Sequence, residues 1–307
     1  MMTRTKAIVV GIIGIALVSV AAGLWIRSKS MKNATPPPFL AWVEISRDPK
    51  HKGDLDAYPL IAVKGGSLVD ISLDPEAEKA PLPSIPVERF PLKAKPVVSG
   101  FFMGKELGLL RIKSYKPVQV ACNELVLGKG EWAEKGNRTS VPRGIKGFIA
   151  AFQLPKQRSW ASTLPTSRRQ EIEAKFLAEA RTKFDLAQDV NAKEFLRNWI
   201  SLGESRGDVA FFEVLWKVGE ELKVLNALVQ VQAQGDAKTI WEVSGQGAAE
   251  SDAGIPVYEF LDAFDVDGDG IPELVLGYHN YEANSFILIR ILPGKPTELW
   301  NGSGYGC

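Results

Sequence analysis

This chain is punctuated too often to be built from long helices. From Phe39 to about Leu154, short apolar runs alternate with turn-forming residues, the pattern of strands joined by tight connections. Trp42-Val43-Glu44-Ile45, Leu60-Ile61-Ala62-Val63, Leu68-Val69-Asp70-Ile71 and Leu109-Leu110-Arg111-Ile112 are such runs, and Lys64-Gly65-Gly66-Ser67 reads as a hairpin turn. Val118, Val120 and Cys122 alternate with small or polar residues, as one buried strand face does. After Asn191 strands return at Val209–Lys217, Leu222–Gln232, Thr239–Val243 and Val257–Ala263, with a hairpin turn at Gly219-Glu220-Glu221. Aromatic and β-branched residues dominate these runs, which suits a pleated, half-buried surface.

One stretch has a different period. Ile172, Phe176, Leu177, Ala180 and Phe184 recur at helical spacing, and Ser167 with Gln170 matches a capping box. Such a stripe is most often the face by which a helix packs on its own domain.

Near the N-terminus, Ala7 to Ile26 carries no charge. About twenty apolar residues at 1.5 Å each reach roughly 30 Å, the hydrocarbon thickness of a bilayer. Ser19-Val20-Ala21 offers a cleavage site for a signal peptide, but the apolar run continues through Trp25, an interfacial aromatic, to Arg27, Lys29 and Lys32. The reading favoured is a retained single-pass anchor through residues 7–26, with the body outside the cytoplasm. Three prolines at 36–38 then form an extended spacer. The expected organisation is an anchor at 1–32, a linker at 33–38, a β-rich domain at 39–160, a helical connector at 161–190 and a second β-rich domain at 191–307.

Lys plus Arg number 37 against 36 Asp plus Glu, so no basic excess points to nucleic acid. Two His and two Cys rule out His/Cys clusters of the zinc or iron kind. Cys122 and Cys307 are either two separate thiols or one long-range disulfide; closing so long a loop stabilises by roughly 5 kcal/mol in the chain-entropy account.

The most informative stretch is Ala263 to Gly277. Asp265, Asp267 and Asp269 alternate, and Gly270 follows where the backbone must turn. Calcium takes six to eight oxygens, and this spacing presents three carboxylates to one point. The carbonyl of Ile271 and the carboxylate of Glu273 complete the expected ligand set. Without an ion these acids repel one another. An EF-hand needs Glu at the twelfth position, whereas this chain has Leu276 within the strand-like Leu274-Val275-Leu276.

The stretch resembles the FG-GAP or integrin-α type of repeat over about residues 258–292. The match runs through Asp265, Asp267, Asp269, Gly270, Glu273, Leu274 and Gly277, with Phe286-Ile287-Leu288-Ile289 as the following strand. Glu273 stands where that family usually has Asp, and no Gly-Ala-Pro follows Gly277. The resemblance implies a structural calcium ion in a loop between two strands of a propeller blade. It also implies a role in binding a protein or carbohydrate ligand at a cell surface. Only one clear copy is present, so the expected fold is mainly β, with antiparallel sheets, one prominent helix and at most a partial or degenerate propeller.

An alternative from another class is an exported serine hydrolase. Gly203-Glu204-Ser205-Arg206-Gly207 has the spacing of a nucleophile elbow, and an Asp (Asp236 or Asp252) followed by His279 completes the chain order of a triad. The strand-like run after Gly207 argues against it, because the elbow leads into a helix. Arg206-Gly207-Asp208 is read as a turn rather than an adhesion tripeptide.

Overall fold

A computed structural model of the chain describes residues 37–45, 54–72, 91–102, 104–120, 123–133, 147–154, 159–203, 206–232, 235–248, 255, 257–279, 283–292 and 295–306. The anchor segment 7–26, the Pro-rich linker up to residue 36 and both cysteines lie outside these residues. Among the described residues, no helix is long and apolar enough to cross a membrane.

The first half forms a ring. Strands β1 (Phe39–Ile45), β2 (Asp54–Lys64), β3 (Ser67–Asp70), β4 (Val97–Phe102), β5 (Lys105–Val120), β6 (Asn123–Trp132) and β7 (Gly147–Phe152) make one sheet in the order β1-β7-β4-β5-β6-β2-β3. A further pairing of β1 with β2 closes the circuit β1-β7-β4-β5-β6-β2 as a six-stranded barrel, every ladder antiparallel. Closure removes the free edges that open sheets expose. β2 permits it by dividing its second side: Asp54–Ala57 pair with β6, and Ile61–Lys64 pair with β3 through the expected hairpin. The interior is filled by alternate residues such as Phe39, Leu55, Val98, Leu110, Val126 and Phe148. Leu92, in a 3-10 turn at Pro91–Ala94, packs with them and is fully buried.

The second half consists of two consecutive four-stranded antiparallel meanders. β8 (Glu194–Ser201), β9 (Asp208–Val218), β10 (Glu221–Val231) and β11 (Ala237–Ala248) form one. β12 (Val257–Phe264), β13 (Glu273–His279), β14 (Ala283–Leu292) and β15 (Lys295–Gly306) form the other. They stack face to face, with Ile200, Val209, Phe211 and Leu228 against Phe260, Leu274, Leu276 and Ile289. The second meander turns its other face to the outer wall of the barrel, where Phe264 meets Phe101 edge-on at 5.4 Å.

The helix α1 (Thr166–Lys183) covers the remaining face of the first meander. Ile172, Phe176 and Ala180 pack on Phe212, Val214, Trp216 and Leu225, so the apolar stripe serves the chain's own core as read from sequence. β9 is thus sandwiched on both sides, which explains why Val209 to Phe212 are apolar without alternation. The capping box does not form. Pro165 is the N-cap, no side chain caps the helix, and Ser167 lies inside its first turn. The order outward is therefore barrel, β12–β15, β8–β11, helix, in an antiparallel, mainly β molecule.

Candidate metal centre

The acidic turn is the connection between β12 and β13, spanning residues 265–272 between the paired Phe264 and Glu273. Its first half has a fixed base. Phe264 and Val266 are buried against the barrel wall on either side of Asp265, which is itself buried. Beyond them Asp267, Gly268, Asp269 and Gly270 are exposed.

The loop's amides turn inward onto its own carboxylates. Gly268 and Gly270 donate to Asp265 at 2.7 and 2.9 Å, Asp269 to Asp267 at 3.2 Å, and Ile271 to Asp269 at 2.9 Å. Gly268 and Gly270 both adopt left-handed backbone, with φ of 84° and 82°, which a Cβ disfavours. The result draws one oxygen from each of Asp265, Asp267 and Asp269 to within 4.8 Å of the others. Two oxygens on opposite sides of a calcium ion stand about 5 Å apart, twice the metal–oxygen distance. Three carboxylate oxygens at this spacing could hold one metal ion, and hard oxygen donors are what calcium prefers.

The other two expected ligands behave differently. Ile271 enters the loop through its N–H on Asp269. Glu273 is fully buried, and both its oxygens are occupied: the Val266 N–H donates to Oε2 at 2.9 Å, and Arg290 donates to Oε1. Arg290 stands directly opposite Glu273 in the β13–β14 ladder. Its Nε and Nη2 reach Oε1 of Glu273 at 2.8 and 2.6 Å, and Nη2 also reaches Oδ2 of Asp267 at 2.5 Å. Burial pushes the Glu273 carboxyl above its ordinary range, against the pull of the Val266 amide and Arg290. For Arg290 burial works the other way, and its bonds to Asp267 and Glu273 outweigh that and hold its proton more tightly.

Arg290 escaped the sequence reading. The available signal was a lone cation inside the apolar run Phe286 to Leu292, since a charged residue there calls for a buried partner.

Residues of the hydrolase alternative are placed as follows. Ser205 and Asp252 lie outside the described residues. Gly207 leads straight into β9, not into a helix. His279, at the end of β13, pairs with Glu259 at 3.7 Å. In Arg206-Gly207-Asp208 the Asp is buried and accepts a 2.5 Å bond from the Ser162 hydroxyl, so it is spent on the fold.

Neither a scan of known protein families nor searches of curated proteins and of solved structures find a match to this chain.

Proposed function

We propose that this chain is a membrane-tethered, extracytoplasmic binding or structural module whose C-terminal sheet is stabilised by calcium. The observation that carries the calcium is the convergence of Asp265, Asp267 and Asp269 to within 4.8 Å in a loop whose amides already orient them. These three would hold the ion, with the Ile271 carbonyl as a further donor. The ion would supply neutralisation and order, not catalysis: it would offset the mutual repulsion of the carboxylates and fix the exposed half of the turn.

The membrane address rests on residues 7–26, and a calcium-dependent body suits a compartment rich in that ion. The two consecutive meanders, β8–β11 and β12–β15, support reading this half as a pair of propeller-type blades packed face on face. The barrel and the helix cover their outer faces, where a full propeller would set further blades. The ligand such a module serves is a protein or a carbohydrate by resemblance alone.

Calorimetric titration of the detergent-solubilised full chain with calcium tests the centre. Binding is expected for the wild type and a large loss for Asp267→Ala. Equal heats for the two proteins would remove Asp267 from the site.

A further inference from the structure

An acidic turn can carry a counter-charge of its own. This one has Arg290. Its guanidinium lies between Asp267 and Glu273, donating twice to one Glu273 oxygen and once to Asp267. The neighbouring Ile289 and Ile291 are buried, so the strand that carries it is fixed, and the ladder sets it opposite Glu273. Only 22% of its side chain is exposed, and none of the Glu273 side chain is.

We propose that Arg290 is the resident cation of this loop: it closes the acidic turn in the absence of metal and weakens the calcium site it borders. The second half of this rests on the calcium reading; the first does not.

The chemistry follows from which oxygens are taken. Arg290 takes both acceptor sites of Glu273 Oε1 and the Val266 amide takes one on Oε2, so the guanidinium draws this carboxylate toward β14 and away from the metal. Asp267 is shared: Oδ2 accepts Arg290 and Oδ1 accepts the Asp269 amide. A fixed positive charge bonded to one of the ion's ligands repels the ion and lowers affinity. Yet four carboxylates and one guanidinium leave three formal negative charges in excess, so a divalent cation remains favoured. Such a loop is closed before calcium arrives and takes the ion weakly.

The test uses the full chain in detergent with three variants, each melted in EDTA and titrated with calcium. In EDTA, Arg290→Gln is expected to melt several degrees below the wild type, because it strands the buried Glu273 carboxylate. Millimolar calcium should restore most of that loss. In calorimetry Arg290→Gln should bind calcium at least tenfold more tightly than the wild type. Arg290→Lys keeps the charge without the fork, so it should retain weak binding while losing thermal stability in EDTA.

Calcium affinity unchanged or reduced in Arg290→Gln would overturn the antagonism, and an unchanged melting point in EDTA would overturn the latch. If neither protein takes calcium, the calcium reading and the antagonism fall together, while a melting loss in EDTA still establishes the latch. Should Arg290→Gln not fold in EDTA, Glu273→Gln interrogates the same contact. It keeps the side chain's shape and an acceptor but removes the charge facing Arg290, and a melting point equal to the wild type would count against the latch.

Discussion

Glu213 should make this protein lose stability as the pH rises through neutrality. It lies on β9, on the face turned toward β12–β15, directly opposite the fully buried Asn226 on β10. The Asn226 side chain accepts the backbone N–H of Tyr258 at 3.4 Å, so this row borders the edge of β12. Burial pushes the Glu213 carboxyl from 4.5 to about 7, Glu194 and Glu259 add to the rise, and His279 opposes it.

The sign follows from linkage. The folded state binds this proton more tightly than the unfolded chain, so its contribution is intact below about pH 4.5. It declines between 4.5 and 7 and is gone above that. At 1.36 kcal/mol per unit the full interval amounts to about 3 kcal/mol, and partial exposure brings that down to about 1–2 kcal/mol. Glu213→Gln keeps the shape and removes the charge. Urea unfolding from pH 4.5 to 8.5 should show the variant close to the wild type at the acid end and about 1–2 kcal/mol more stable at pH 8. A difference that stays flat with pH, or that grows toward acid, would refute the reasoning.

Two further substitutions probe the packing of the fold. Gly207 has φ of 74°, and a Cβ there would stand 2.1 Å from the Val231 carbonyl oxygen, so Gly207→Ala should cost about 3 kcal/mol or more in chemical denaturation. Phe264→Ala empties the seam between β12 and the barrel and should cost about 3–5 kcal/mol by the same measurement.

The strands were legible because their patterns are local. Lys64 to Ser67 turned as its composition demanded, and the Ile172–Phe176–Ala180 stripe found a core. What the chain concealed depends on long-range pairing. Nothing near Phe39 says that it pairs with Phe152, the contact that helps make a barrel of the first half. Nor does the apolar run from Val209 to Phe212 say which face meets the helix and which the second meander, since both faces are apolar. The helix start misled because Pro165 holds an extended backbone as N-cap, with ψ of 142°, two residues earlier than the Ser167 box requires.

The acidic turn shows the same division at the scale of a few side chains. Its aspartates could be read because their spacing alone brings them together, whereas Arg290 could not, because only the β13–β14 register delivers it. That register changes what an ion would do here. The inner end is nailed down by Phe264 and Val266 against the barrel, and the outer end is tied by Arg290 to Glu273 and Asp267. Between these two ties Gly268, Asp269 and Gly270 are exposed. Calcium at this point would order those few residues and stiffen a closed hairpin. It would not have to assemble the sheet, because the sheet's hydrophobic faces and its own arginine already do.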